Sequence, residues 1–197
     1  MINVISLLAG YLIGSINPAI LISKLFFKTD IREHGSGNAG ATNVLRTLGK
    51  GAAICVTLID ILKGIIAIGI VSLIFGSESA YIYLTGLGAI LGHNFPLYFA
   101  FKGGKGILTS FGILLVLDWR VALVAFIVGI ALIAVTRYVS LGSVMAAASV
   151  IIAAFIFAPD TLETCVLCIM GALAIFMHRS NIGRLLKGNE RKLGEKK

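Results

Sequence analysis

Seven apolar runs, at roughly 3–25, 51–75, 80–99, 105–117, 121–136, 141–158 and 162–178, leave this chain few folds to choose from. A helix needs about 20 mostly apolar residues to cross a bilayer, with a range of about 17 to 25. Most of the runs come near that. The fourth and fifth are short, and must borrow flanking residues or sit where the bilayer is locally thin. Inside hydrocarbon every backbone N–H and C=O has to be paired, which leaves helices or closed barrels, and no strand-like alternation marks a barrel here. Composition agrees: 58% of the residues are hydrophobic and 13% charged, more apolar surface than a soluble domain of 197 residues can hide. The expected fold is an all-α integral membrane protein with seven transmembrane helices. The first run lacks a basic start and a small-x-small cleavage site, so it is expected to remain as a helix rather than be removed as a signal.

An odd number of crossings puts the two ends on opposite sides, and charge says which side is which. One side receives Lys24, Lys28, Arg32, Arg46, Lys50, Lys102, Lys105, Arg137, Arg179, Arg184, Lys187, Arg191, Lys192, Lys196 and Lys197. The turns on the other side carry Arg120 as their only basic residue, with Glu78, Asp118, Asp160 and Glu163. The positive-inside rule therefore places the N-terminus outside and the C-terminus in the cytoplasm. The net charge of +8 is a rim for anionic lipid head groups and anionic substrates and calls for no nucleic acid. The basic segments also hold His34, His93 and His178, and function is expected there, at the cytoplasmic surface. One domain, 1–197, carries its motifs in four segments: 32–50, 92–106, 137–144 and 177–190.

The first of these contains "HGSGNAGATN", His34 to Asn43, in which Gly35, Gly37 and Gly40 match the spacing of a dinucleotide-binding loop. That reading fails on context. It requires a preceding strand and an acidic residue about 20 positions on, whereas a membrane helix precedes the loop and the next acid, Asp60, lies inside another span. The phosphate-binding chemistry survives, because closely spaced glycines let successive N–H groups face one concavity. Ser36 and Thr42 add hydroxyls, and Arg46 can add a bidentate fork. The competing reading is a flexible loop. In the second segment, "KGGKG" is not a Walker A loop, since Lys105 is followed by Gly106. Lys102 and Lys105 beside a tight turn and a helix start nevertheless suit an anion. His93 has two readings, a brace for the bend at Pro96 or a ligand.

Ser140 and Ser143 stand where a helix begins and are expected as caps. His178, Arg179, Ser180 and Asn181 cluster where the last run ends, more polar than a membrane anchor needs. The basic tail beyond them is expected to lie against the leaflet. Asp60 and Lys63, three apart inside the second run, are either a functional pair or a brace. Cys165 and Cys168 lack the partners of a zinc site and are read as packing residues. No carboxylate cluster suggests a metal, and no cofactor is expected.

Taken together, "SGNAGATNVLR", "GHNFPLYFAFKGGKG" and "SLGSV…HRSNIGRLLKG" resemble the three cytoplasmic motifs of the bacterial acyl-phosphate:glycerol-3-phosphate acyltransferases, over the whole chain. The resemblance implies transfer of an acyl group from acyl phosphate to the sn-1 hydroxyl of glycerol 3-phosphate. The products are 1-acyl-glycerol 3-phosphate (lysophosphatidic acid) and phosphate, in the first step of phospholipid synthesis at the bacterial inner membrane. On this reading Ser36, Gly37, Asn38, Gly40, Ala41, Thr42 and Asn43 hold the acyl phosphate together with Ser143. Arg46, Lys105, His178 and Asn181 hold glycerol 3-phosphate. His178, Ser143 and Lys105 are the catalytic candidates. The residues five after His34, His93 and His178 are Ala39, Tyr98 and Gly183, so the His-x4-Asp pair of other glycerolipid acyltransferases is missing. Direct attack without an acyl-enzyme is expected, with positioning and charge stabilisation supplying the catalysis. The rival reading is a membrane transporter or flippase for a phosphorylated solute, which needs a midplane site.

Overall fold

A computed structural model describes residues 1–195; Lys196 and Lys197, counted above on the basic side, lie outside the described residues. Among the described residues the chain forms ten α-helices and two short 3-10 turns, with no strand. The chain divides into two compact units, Met1–Leu117 and Asp118–Lys197.

The first unit holds α1 (Ile2–Gly14), α2 (Pro18–Phe27), α3 (Ala41–Thr47), α4 (Lys50–Phe75), α5 (Ser79–Asn94) and α6 (Ile107–Leu117). The first apolar run is broken between α1 and α2 for a local reason. Pro18 opens α2, where its missing N–H costs nothing, and Asn17 caps it by accepting from the Ile20 N–H at 3.1 Å. The third run stops early, at Asn94, because Pro96 cannot continue a helix; a 3-10 turn, Leu97–Phe99, follows.

α1 and α5 pack backbone to backbone. A Cβ on Gly10 or Gly14 would overlap the carbonyl of Thr85 or Ala89, and one on Gly88 or Gly92 would overlap the carbonyl of Leu7 or Tyr11. Small residues four apart on both helices allow this approach, which is how helices associate where lipid supplies no hydrophobic drive. At the loop end of the unit a small apolar core of Ile20, Ile31, Ala39, Val44 and Val56, all fully buried, seats the loop between α2 and α3.

The second unit holds α7 (Trp119–Thr136), α8 (Val139–Phe157), α9 (Thr161–Met177) and α10 (Arg179–Leu186). Asp118 caps α7 and Asp160 caps α9 through their side chains. The serines expected as caps of α8 do not act so. α8 starts at Val139 without a side-chain cap, Ser143 donates within the helix to the Val139 carbonyl at 2.9 Å, and Ser140 turns to Glu190.

Four stretches are long and apolar enough to cross a membrane: Ile2–Phe27, Lys50–Phe75, Trp119–Thr136 and Val139–Phe157. Thr161–Met177 with Arg179–Leu186, bent by 56°, makes a fifth if counted as one span. The other two runs give shorter helices, α5 with 16 residues and α6 with 11. The polar turn between them takes residues that the apolar pattern assigns to spans.

Candidate functional site

In the first unit the glycine loop is an organised turn and not an open nest. Asn43 is fully buried and fills it: the two protons of its amide nitrogen are shared among the carbonyls of Ile31 (3.0 Å), His34 (2.9 Å) and Asn38 (3.1 Å), and its oxygen accepts from the Ser36 N–H (2.9 Å). The Gly37 N–H goes to the His34 carbonyl and the Gly40 N–H to the Asn38 carbonyl, both at 3.0 Å. Gly35 and Gly37 have φ of +63° and +72°, the left-handed region that favours glycine. Asn43, expected against the acyl phosphate, is thus engaged with the loop itself. The Ser36, Gly37 and Gly40 N–H groups are bonded within the loop in the same way. Ser36 and Gly37 are exposed; Ala41, Thr42 and Arg46 are half-buried on α3.

The "KGGKG" turn lies against this loop. The Gly103 and Gly104 N–H groups donate to the Asn94 and His93 carbonyls at 3.2 and 3.1 Å. A Cβ on Gly104 would come within 2.7 Å of the Ala39 carbonyl oxygen, so only glycine lets the two turns touch there. Asn17 donates to the same Ala39 carbonyl at 3.3 Å. Arg32 completes the clamp by donating to the Phe99 carbonyl at 2.8 Å while it grips Asp30 bidentately at 2.9 and 2.7 Å. Hydrogen bonds from Arg32, with help from Lys24, hold the Asp30 carboxyl well below the usual aspartate range despite its burial. Lys105 is half-buried at the end of this turn, next to Gly106 (φ +78°) and the start of α6. Buried Asn94 faces Gly106, and neither polar atom of its side chain has a hydrogen-bond partner among the described residues.

Beneath the turns sits a buried charged group. Lys63 Nζ lies 2.9 Å from Asp60 Oδ1 and 2.8 Å from His93 Nδ1, and it donates to the Ile16 carbonyl at 3.0 Å. His93 Nδ1 is also 3.1 Å from Asp60 Oδ1 and 3.3 Å from Thr109 Oγ1. Of the two readings of His93, neither describes this: it is the third member of the Asp60–Lys63 pair. The bend at Pro96 is braced instead by Tyr11, whose hydroxyl donates to the Phe95 carbonyl at 2.8 Å, and by Ser15 Oγ, which accepts from the Leu97 N–H at 3.2 Å.

In the second unit the polar end is organised by Glu190. Its Oε1 accepts from Ser140 Oγ at 2.8 Å and from Asn181 Nδ2 at 2.7 Å, and its Oε2 from Arg184 Nε at 2.7 Å. Burial pushes the Glu190 carboxyl up, but these hydrogen bonds outweigh it and hold the group below the ordinary 4.5. His178 is buried, and its Nδ1 lies 2.8 Å from the Ala174 carbonyl. A carbonyl only accepts, so this contact assigns a proton to Nδ1. The tail does not simply lie along the leaflet. Leu193 and Arg137 exchange two hydrogen bonds, at 2.7 and 2.8 Å, and Lys192 stacks over Tyr138. Thus α10 and the tail bring Ser140, Asn181 and Glu190 together, while Ser143 points back into its own helix.

The family model described as glycerol-3-phosphate acyltransferase matches residues 4–188. The chain belongs to the glycerol-3-phosphate acyltransferase family. A glycerol-3-phosphate acyltransferase of Thermoanaerobacter pseudethanolicus is 45% identical over all of this chain and 98% of its own length. One of Shouchella clausii is 48% identical, over 97% of this chain and 96% of its own. Among solved structures, the glycerol 3-phosphate form of PlsY, an integral membrane glycerol 3-phosphate acyltransferase, matches with a TM-score of 0.90 and 40% identity, over 98% of this chain and 96% of that one. The lysophosphatidic acid form matches at 0.87. This chain is therefore an all-helical integral membrane protein of an acyltransferase family, and the transporter reading is set aside.

Proposed function

We propose that this protein moves an acyl group from acyl phosphate to the sn-1 hydroxyl of glycerol 3-phosphate, giving 1-acyl-glycerol 3-phosphate and inorganic phosphate. The observation that carries the proposal is the contact between two glycine turns, 36–43 and 102–106, with Lys105 beside them, in a chain of this family. Both substrates bear phosphate, and the first turn offers the hydroxyls of Ser36 and Thr42 to an anion while the second offers a cation.

The hydroxyl oxygen attacks the acyl carbonyl carbon, the bond from that carbon to the phosphate oxygen breaks, and phosphate leaves with the electron pair. Acyl phosphate is a mixed anhydride with a good leaving group, so little general-acid help is needed and no acyl-enzyme intervenes. Ser36, Gly37, Asn38, Gly40, Ala41 and Thr42 hold the acyl phosphate, with Asn43 keeping their loop in shape. Arg46 and Lys105 hold the anionic charge of glycerol 3-phosphate. In the second unit His178 and Asn181 are assigned to glycerol 3-phosphate and Ser143 to the acyl phosphate. The hydroxyl proton goes to His178, an imidazole whose ordinary pKa lies near neutrality, or to a substrate phosphate oxygen. The membrane arrangement proposed with this is seven crossings, N-terminus outside, basic ends and chemistry on the cytoplasmic side of the bacterial inner membrane.

The test is phosphate release by purified protein in detergent. Release should require a long-chain acyl phosphate and glycerol 3-phosphate together. Equal turnover with acyl-CoA or acyl-carrier protein as donor would overturn the acyl phosphate assignment.

A further inference from the structure

We propose that Asp60, Lys63 and His93 form a positioning cluster that sets the "KGGKG" turn, and with it Lys105, against the 36–43 loop. The proposal rests on the reading of these two turns as the substrate phosphate site.

Hydrogen-bond counting gives the cluster its chemistry. A lysine ammonium has three protons, and Lys63 has three acceptors in range: Asp60 Oδ1 at 2.9 Å, the Ile16 carbonyl at 3.0 Å and His93 Nδ1 at 2.8 Å. A charged lysine can donate to all three when His93 is bare at Nδ1, and that same nitrogen also lies 3.1 Å from Asp60 Oδ1, a second acceptor. Were Nδ1 protonated, its shortest contact would set two donors face to face. The shorter of the two contacts, to Lys63, favours the tautomer with the proton on Nε2, the nitrogen that borders Gly104. Asp60 and Lys63 are 1% and 5% exposed, so the pair is charge-neutral and sealed.

Lys63 and His93 tie the cluster to the segments that shape the site. Lys63 satisfies the Ile16 carbonyl exposed by the break between α1 and α2. The next residue, Asn17, holds the Ala39 carbonyl of the glycine loop. His93 and Asn94 hold Gly103 and Gly104 through their own carbonyls. His93 Nδ1 also meets Thr109 Oγ1 in the first turn of α6, just past Lys105. Asp60 lies ten residues into α4, about 15 Å from its start at the rise of an α-helix. Irregular backbone at such depth needs a protein partner, and this cluster provides it.

A positioning role separates from a purely structural one in the split between KM and kcat. His93→Ala, recovered folded, should raise the KM for glycerol 3-phosphate about tenfold or more, with kcat falling less, because Lys105 loses its register. His93→Asn should recover most of that loss, since its amide oxygen reaches the Nδ1 position and accepts from Lys63. His93→Gln, which reaches the Nε2 position and leaves Lys63 short of an acceptor, should not. An unchanged KM in folded His93→Ala, or Asn no better than Gln, overturns the proposal. If His93→Ala does not fold, the charge-neutral pair Asp60→Leu with Lys63→Met carries the same expectation of a raised KM, and the Asn–Gln contrast decides independently. Wild-type protein that releases no phosphate with both substrates would instead remove the functional reading itself. Active wild type with insensitive variants removes only the positioning.

Discussion

In the first unit the polar end is held largely by backbone: glycine turns touch at Ala39 and Gly104, carbonyls of His93 and Asn94 catch the next turn, and the charges beneath are paired out of sight. In the second unit one half-buried carboxylate, Glu190, collects Ser140, Asn181 and Arg184 by side chains alone. The contrast separates two ways of making a site precise. A backbone-built site tolerates no added atom, because its parts are already in contact. A site built by side chains around one acceptor tolerates shape changes but depends on that acceptor's charge.

The largest effect expected from this contrast is at Gly104. Gly104→Ala places a methyl against His93 Nε2 and the Ala39 carbonyl, so the two turns must separate. A shift of about 1 Å in a positioned group is worth on the order of a hundredfold in rate. Acyl transfer measured on folded protein should fall by that order. Retained activity would mean that the turns do not need to touch. Next in size is Glu190→Ala, which strands the buried donors of Ser140 and Asn181, while exposed Arg184 can turn to water, and should cost about 1–3 kcal/mol. Thermal unfolding in detergent checks it, with Glu190→Gln expected between the two. Smaller again is Arg32→Met, which leaves Asp30 and the Phe99 carbonyl without their fork. The KM for one substrate should rise about threefold to tenfold, as for loss of uniform binding, with kcat nearly unchanged.

How much of this was legible in the sequence differs between the same two regions. The glycine loop, the "KGGKG" turn and the His178–Asn181 group all stand out as polar islands in an apolar chain, and each apolar run contains a helix. What could not be seen were the partners brought from far along the chain. His93 reads as part of the Pro96 bend because its neighbours in sequence are there, yet its side chain faces Asp60 and Lys63, 33 and 30 residues away. Ser140 looks like a cap by position, but Glu190, fifty residues later, outbids the helix end for its hydroxyl. Asn43 looks like a ligand because it ends a glycine motif, whereas the motif needs something to fill its inside. One available signal went unused: Gly10 and Gly14, with Gly88 and Gly92, already carry the small-residue spacing that marks the α1–α5 contact.

The smallest expected effect sharpens the comparison through acid. Asp30 in the first unit and Glu190 in the second both have carboxyls held below their ordinary values by hydrogen-bonding donors. For a carboxyl depressed in the folded state, the unfolded chain binds the proton first as pH falls. Its stabilisation is therefore fully present above the unfolded value and drains away as pH drops toward the folded one. For Glu190 that loss begins near 4.5 and for Asp30 near 3.8, and Asp30 is depressed well beyond the reach of mild acid. Thermal midpoints measured from neutral pH down to about pH 4 should fall by a few degrees, at about 2–4 °C per kcal/mol for a chain of this size. Glu190→Gln should flatten the upper part of that slope and Asp30→Asn should not. If Asp30→Asn flattened it instead, the backbone-built end would be the acid-sensitive one, and the division of labour between the two regions would be reversed.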